Sequence, residues 1–326
     1  MKLKKCNICG NKKANNHFKV KEMMFGLLDE FDYFQCFKCR CLQIAEIPKN
    51  LSDYYPKNYY SYEIVNEKFL NNQPRKFFRD LKNNYSIFKK GLFGKLLNCI
   101  YPNSAYGFLS NITLSKESSI LDIGCGNGIF LYGLKCLGFN NLKGIDPFIK
   151  EEIKYKNNLQ IFKKSIFQIK EKFDLIILNH SFEHMASPCD VISKISKLLN
   201  NNGVCVIRTP TIDSYSWEIY KENWVQLDAP RHLFIHSFSS LKIMTDINGL
   251  KISNFNTDSD SFQFWGSEQY LKKISLYSSV SFLVNPSKSI FNKSQIKSFE
   301  KKAKNLNKNL RGDQAVYYIN KKSYNG

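Results

Sequence analysis

The stretch SILDIGCGNGIFLYGLKCLGF, residues 119–139, places a short apolar run, a glycine-rich turn and an amphipathic segment in that order. The apolar run predicts a buried strand, and the segment after the glycines predicts a helix. Glycines between the two let the backbone approach a ligand closely. The stretch therefore predicts a strand–turn–helix unit of an α/β domain, with a ligand at the turn.

Further apolar runs follow this unit, and helical patterns separate most of them. These runs are LKGIDPF (142–148), LQIFKKS (159–165), FDLIILNH (173–180) and GVCVIRTP (203–210). The alternation predicts a doubly wound parallel sheet whose ligands lie at the carboxyl ends of the strands. Asp146 ends the second strand, 22 residues after Gly124. A carboxylate there can accept hydrogen bonds from both hydroxyls of a ribose.

Three of these motifs suggest a family. LDIGCGNG (121–128), GIDP (144–147) and NHSFEHM (179–185) resemble the signature motifs of class I S-adenosylmethionine-dependent methyltransferases. The resemblance covers about residues 118–256, and the run DQAVYYINK (313–321) fits the antiparallel hairpin that closes such sheets. It implies a Rossmann-like, seven-stranded sheet that binds S-adenosylmethionine. The residues it implies as cofactor ligands are Asp122, Gly124, Cys125, Gly126, Gly128, Asp146, Pro147, Ser165, Ile166 and Asn179.

Four cysteines near the N-terminus form two pairs, Cys6-x-x-Cys9 and Cys36-x-x-Cys39, with 26 residues between them. Two such pairs complete a tetrahedral site for Zn²⁺, and a fully coordinated site of this kind is structural. The spacing therefore predicts a zinc-ribbon-like module over residues 1–45. Cys41 is a spare thiol, and His17 is a weaker alternative ligand.

Histidine is scarce, yet four of the five histidines lie in two short stretches, NHSFEHM and PRHLFIH (230–236). His180, His184 and His232 are candidate catalytic bases that would take the proton of an acceptor hydroxyl. Alternatively, Glu183 and His184 shape the loop without touching substrate. Related quinone and polyphenol O-methyltransferases carry E-x-x-E-H here and bind a divalent cation. His180 replaces the first glutamate, so a catalytic metal is the least favoured of the three hypotheses.

The PRHL segment also bears on the acceptor. It resembles a methyltransferase subgroup associated with bacterial surface-glycan and small-molecule modification, which implies a hydroxyl of a nucleotide-linked sugar or surface-glycan precursor. Arg231 would pair with a phosphate or carboxylate of the acceptor, and Trp224 would stack on a sugar ring, although core packing explains a tryptophan equally well. The candidate substrate-binding residues are Glu183, Arg231, Trp224 and Tyr59.

The formal net charge of +20 is a weak indication of an anionic partner, because lysine and asparagine recur throughout the chain. An RNA methyltransferase with an N-terminal zinc module is therefore an alternative function, and a non-catalytic cofactor-binding scaffold is another. We find no secretory signal and no uncharged apolar run of membrane-spanning length. Ten cysteines without an export signal favour a reducing compartment, so we expect a cytoplasmic protein.

The chain is expected to comprise three parts. These are the zinc-ribbon-like module over residues 1–45, a connector and helical segment over 46–117, and the methyltransferase domain over 118–326. Within the last part, residues 257–312 predict a helical lid inserted between the final two strands, with a lysine-rich run as a solvated face.

Overall fold

The computed structural model describes residues 4–56, 72–73, 75–100 and 104–322. The strands in these ranges are β1 (Asn16–Lys21), β2 (Glu30–Gln35), β3 (Leu42–Ile44), β4 (Ile120–Ile123), β5 (Leu142–Ile145), β6 (Ile153–Lys154), β7 (Gln160–Phe162), β8 (Phe173–Asn179), β9 (Leu199–Pro210), β10 (Phe234–Ile235), β11 (Leu250–Thr257) and β12 (Gln314–Lys321). The helices are α1 (Arg75–Phe88), α2 (Leu92–Ile100), α3 (Ser104–Gly107), α4 (Ile129–Cys136), α5 (Pro188–Leu198), α6 (Tyr215–Tyr220), α7 (Phe238–Ile247), α8 (Phe262–Leu271) and α9 (Lys293–Lys308).

The larger sheet has the strand order β11-β12-β9-β8-β4-β5-β7-β6. Strand β4 pairs in parallel with β5 and β8, and β5 pairs in parallel with β7. Strands β11 and β12 form the predicted antiparallel hairpin. The α/β, doubly wound fold is thus confirmed. The sheet has eight strands instead of seven because β6, two residues long, adds an antiparallel edge to β7. A strand of two residues is too short to show the alternation of apolar and polar residues from which strands are predicted.

The chain divides into two compact units. We call residues 57–179 and 194–206 the glycine-turn unit, and residues 1–56, 180–193 and 207–326 the histidine unit. The domain boundaries predicted at residues 45 and 117 stay a prediction. Within the described ranges, the structure contains no helix of sufficient length and apolarity to cross a membrane.

In the glycine-turn unit, the turn after β4 packs tightly against β5. A Cβ on Gly144 of β5 would lie 2.8 Å from Cys125 Sγ and 2.9 Å from Leu131 Cδ1. Gly124, Gly126 and Gly128 have φ values of 71°, 53° and 75°. Glycine adopts this left-handed region without steric cost, whereas other residues do not. The backbone of the turn therefore requires its glycines independently of any ligand.

In the histidine unit, a smaller antiparallel sheet has the order β1-β2-β3-β10. Strands β1, β2 and β3 come from the N-terminal cysteine region, whereas β10 belongs to the PRHLFIH stretch. Residues more than 190 positions apart therefore share one sheet, with Phe234 opposite Gln43 and Ile235 opposite Leu42. The N-terminal module is continuous with the second histidine stretch.

The segment between β11 and β12 contains α8 and α9, in agreement with the helical pattern in the sequence. Seven of the ten residues of α8 are buried, and Ala303 is the buried residue of α9. The lysines of α9 are exposed, as expected for a solvated face. The function of this segment as a lid stays a prediction.

A buried guanidinium joins three segments of the histidine unit. Arg231 is fully buried, and its Nη2 donates hydrogen bonds to Glu22 Oε1 at 2.8 Å and to Asp228 Oδ1 at 2.6 Å. Its Nη1 donates to the backbone oxygen of Tyr54 at 2.9 Å. Since the guanidinium has protein partners and no exposed surface, we assign Arg231 to stabilising the fold and no longer to the predicted pairing with an acceptor anion.

Replacing Arg231 by methionine is expected to lower the free energy of unfolding by about 3–5 kcal/mol, because the buried Glu22 and the partly exposed Asp228 would lose their partner. Urea unfolding followed by circular dichroism measures the change. Arg311→Met is the matched control, since it removes an exposed ion pair with Glu218 that contributes about 0–1 kcal/mol. Equal losses in the two variants would contradict a buried stabilising role for Arg231.

Candidate functional site

The glycine turn and Asp146 form one hydrogen-bonded corner of the glycine-turn unit. Asp146 Oδ2 accepts a hydrogen bond from the backbone N–H of Gly126 at 3.0 Å, and Oδ1 accepts one from Phe148 N–H at 2.8 Å. These bonds fix the carboxylate beside the turn. It is held at the end of β5, where the sequence predicts the ligand of a ribose.

The other predicted cofactor residues follow neighbouring strands. Because β4, β5, β7 and β8 run parallel, their carboxyl ends meet at one edge of the sheet. The backbone N–H of Asp146 donates to Phe162 of β7 at 3.1 Å, and Ser165 starts a short 3₁₀ turn just beyond. Asn179 ends β8. The structure therefore brings Gly124, Asp146, Ser165 and Asn179 to the same edge, while cofactor binding by them stays a prediction.

Asp122 adds a second carboxyl to this corner and is almost fully buried. Burial, and then the charge of Asp146, raise the pKa of Asp122 to about 7. Asp122 therefore keeps its proton to a higher pH than an exposed aspartate does. A protonated Asp122 reduces the repulsion between the two acidic groups.

The four predicted zinc ligands converge in the histidine unit. The Sγ atoms of Cys6 and Cys39 lie 3.5 Å apart, as do those of Cys9 and Cys36, and all four lie within 4.8 Å of one another. Tetrahedral Zn–S bonds of about 2.3 Å separate the sulfurs by about 3.8 Å. The four cysteines thus fit a Zn²⁺ ion. The spare thiol, Cys41, contacts His236 Nδ1 at 3.8 Å and lies outside this group.

The first histidine stretch begins where β8 ends. Glu183 in this stretch is fully buried, and its Oε2 accepts a hydrogen bond from Thr209 Oγ1 at 2.9 Å. Its Oε1 has no hydrogen-bond partner among the described residues. Burial acts to raise the pKa of Glu183, but the three neighbouring histidines outweigh it and hold that pKa at about 2. Glu183 is therefore a buried carboxylate whose Oε1 has an ion-pair contact with His180 Nδ1 at 3.5 Å but no hydrogen bond among the described residues.

His184 and His232 flank this carboxylate from two different segments. Nδ1 of His184 lies 2.9 Å from the backbone oxygen of Arg231, and Nδ1 of His232 lies 2.8 Å from that of Gln226. A carbonyl only accepts hydrogen bonds, so Nδ1 of each ring carries a proton, and when the ring is neutral Nε2 has the lone pair. The ring centroids are 4.8 Å apart. Burial, and then the charge of His232, lower the pKa of His184.

His180 has a different environment. Arg208 Nη1 donates to His180 Nε2 at 3.0 Å, and His180 Nδ1 faces Glu183 Oε1 at 3.5 Å. Arg208 is itself held by Asp258, whose Oδ2 accepts from its Nε at 2.7 Å. Both ring nitrogens of His180 therefore face protein groups. The sequence analysis missed Arg208, for which the only signal is its position near the end of the fifth predicted strand.

Two further sequence predictions concern Trp224 and Tyr59, and His236 belongs to the second histidine stretch. Trp224 is fully buried and its Nε1 donates to Asp313 Oδ2 at 3.0 Å, so we assign it to the core and no longer to a sugar ring. Tyr59 lies outside the described residues. His236 stacks on the rings of Phe182 and Phe234, and burial lowers its pKa to about 3.

Part of the chain is similar to a known protein family. Residues 102–253 match the family model described as a methyltransferase domain. The match covers 152 of the 326 residues and agrees with the class of enzyme that the motifs predict.

Two curated relatives share part of the chain. The tRNA U34 carboxymethyltransferase of Campylobacter jejuni is 28% identical over 148 residues, which cover 42% of this chain and 50% of the relative. The ubiquinone biosynthesis O-methyltransferase of Pelagibacter ubique is 34% identical over 121 residues, covering 34% of this chain and 50% of that protein. The chain thus spans about half the length of these relatives.

Solved structures show more distant likenesses. The cyclopropane synthase MmaA2 from Mycobacterium tuberculosis has a TM-score of 0.43 and 14% identity, covering 76% of this chain and 99% of that chain. A SAM dependent methyltransferase from Archaeoglobus fulgidus has a TM-score of 0.39 and 18% identity, covering 78% and 97%. These scores are too low to bear on the activity.

After dialysis against metal-free buffer, the protein is expected to retain about one Zn²⁺ per chain, and Cys36→Ser is expected to lose it, since three thiolates leave the tetrahedral site incomplete. Elemental analysis and thermal unfolding of the same samples test this. Cys99→Ser, at an exposed thiol, is the control. Loss of zinc in Cys41→Ser would show instead that Cys41 is a ligand.

Asp122→Asn is expected to change how stability depends on pH. Between about pH 4 and pH 7 the unfolded chain releases the Asp122 proton that the folded state keeps, so the wild type loses stability as pH rises. Asparagine has no such proton. Urea unfolding measures the free energy of unfolding across this range. As pH rises, this free energy should increase in the variant relative to the wild type by about 1.4 kcal/mol for each unit by which the pKa of Asp122 differs between the folded and unfolded states. A gap between the two proteins that stays constant with pH would contradict the raised pKa.

Proposed function

We propose that this chain transfers a methyl group from S-adenosylmethionine, bound at the carboxyl edge of β4, β5, β7 and β8. One observation carries the proposal: the Asp146 carboxylate is hydrogen-bonded to Gly126 of the glycine turn. A carboxylate held in this position can accept hydrogen bonds from the hydroxyls of a ribose, while the glycine turn lets the backbone approach the rest of the ligand closely. By resemblance, residues 124–128 line the methionine part, Asp146 holds the ribose, Pro147 flanks the adenine, and Ser165 and Ile166 meet its edge.

In methyl transfer, the acceptor atom forms a bond to the methyl carbon as the sulfur–carbon bond breaks, and S-adenosylhomocysteine leaves. The protein positions the acceptor and, for a hydroxyl, helps to remove its proton. Of the predicted bases, His184 and His232 have the more suitable geometry because each keeps an Nε2 lone pair. His180, engaged by Arg208, suits a positioning role better.

Oxygen of a small or medium-sized molecule is our first candidate acceptor. The Pelagibacter relative supports it, since that protein is an O-methyltransferase by name. A nucleotide-linked sugar or surface-glycan precursor rests on the PRHL resemblance and on the four-cysteine module, which resembles the N-terminal zinc modules of some sugar methyltransferases. Neither relative supports it. A non-catalytic scaffold is the weakest candidate, because the glycine turn and Asp146 are both intact.

RNA is the second candidate acceptor. The Campylobacter relative is named for a tRNA nucleotide, and the net charge of +20 suits a phosphate backbone. Exposed lysines lie along α9 as Lys293, Lys297, Lys301, Lys304 and Lys308. A spacing of three or four residues places them on one helix face. The cytoplasmic location stays a prediction.

Isothermal titration is expected to show binding of both S-adenosylmethionine and S-adenosylhomocysteine. Asp146→Asn should weaken both by about 10- to 100-fold, because hydrogen bonds to a charged acceptor contribute about 1.5–3 kcal/mol. Glu151→Gln changes an exposed acid and serves as the control. A folded wild-type protein that binds neither compound would contradict the proposed function.

The acceptor is then sought with methyl-labelled S-adenosylmethionine, offered separately with a small-molecule extract and with bulk tRNA. Label in the extract supports the first candidate. Label in tRNA that ribonuclease releases supports the second candidate. Binding of tRNA to the protein should then weaken steeply with added salt.

A further inference from the structure

Three potential metal ligands from two separate segments converge in the histidine unit. A carboxylate oxygen of Glu183 and one ring nitrogen each of His184 and His232 lie within 4.8 Å of one another. His232 is 48 positions beyond His184, so the tertiary fold brings the two rings together. None of the four cysteines of the zinc site belongs to this group.

Both imidazoles are oriented as metal ligands usually are. Each donates its Nδ1–H to a backbone carbonyl, His184 to Arg231 and His232 to Gln226. Such a bond fixes the ring and the tautomer, and it directs an Nε2 lone pair to a metal. The backbone that holds His184 is itself anchored by the buried ion pairs of Arg231.

The carboxylate supplies an independent observation. Glu183 is fully buried, Thr209 engages its Oε2, and its Oε1 has no hydrogen-bond partner among the described residues. A buried charged oxygen without a hydrogen bond is costly. The contact from His180 Nδ1 to Oε1, at 3.5 Å, is longer than an ordinary hydrogen bond. His232 Nε2 lies 4.0 Å from Oε1, which is too long for a hydrogen bond. A cation with bonds of about 2.0–2.2 Å can contact two atoms at this separation.

We propose that Glu183, His184 and His232 bind a divalent first-row transition metal ion such as Zn²⁺, Mn²⁺, Fe²⁺ or Co²⁺. Two imidazoles and one carboxylate suit these ions. Three protein ligands leave a position open for water or an oxygen of the acceptor. Binding of an acceptor oxygen at the open position rests on the proposed function, whereas binding of the metal ion itself does not.

The ligand set differs from the one that the sequence suggests. In the E-x-x-E-H alignment the third ligand would come from His180. In the structure Arg208 donates to His180 Nε2, while His232 reaches the carboxylate from the other stretch. The difference between His180 and His232 provides the decisive test.

The test uses the full chain with zinc retained at the cysteines, titrated with Co²⁺ and followed by calorimetry and visible absorption. We expect about one additional Co²⁺ per chain, with a spectrum that lacks thiolate charge-transfer bands. His232→Ala and Glu183→Gln should each weaken this binding at least tenfold. His180→Asn, which tolerates the left-handed backbone at this position, and His17→Ala should retain it.

Circular dichroism of each variant establishes that it is folded before its metal binding is compared. No additional Co²⁺ on the wild type would overturn the proposal without reference to any variant. Retained binding in folded His232→Ala would also overturn it, as would loss in His180→Asn, which would return the site to the E-x-x-E-H set. None of these measurements requires S-adenosylmethionine, so they are independent of the proposed function.

Discussion

The buried ion pair of Arg231 with Glu22 and Asp228 is the constraint on which the histidine unit depends. Its side chain joins the region after β1 to the PRHLFIH stretch, and its backbone oxygen accepts the Nδ1–H of His184. Because a buried charge without its partner is costly, these contacts stabilise the packing of the three segments against one another. The orientation of the His184 ring is a consequence of that packing.

In the glycine-turn unit, strand pairing and backbone sterics position the site, whereas ion pairs do so in the histidine unit. Parallel pairing of β4 with β5 and β8 brings the ends of these strands to one edge, and the turn passes close over Gly144. Asp146 then closes the corner by accepting the N–H of Gly126. Steric packing thus positions the Asp146 corner, and buried ion pairs position the histidines around Glu183.

The sequence was a good guide wherever a pattern reflects local geometry. Periodic apolar runs located the central strands, and the spacing of the cysteines predicted which four sulfurs would converge. It was a poor guide for isolated polar or aromatic residues. Arg231 and Trp224 looked like substrate ligands because their chemistry suits anions and sugars, yet both are fully buried. Burial depends on what packs around a residue, which no short pattern records.

The sequence by itself therefore determined the α/β class, the glycine turn with its acid and the four-cysteine group, because each follows from short-range spacing and backbone sterics. Only the tertiary structure decided which histidines meet. Pairing of β10 with β3 and the ion pairs of Arg231 bring His232 to Glu183 and His184, while Arg208 engages His180. Such contacts depend on the packing of segments that are distant in the sequence, so no short motif predicts them.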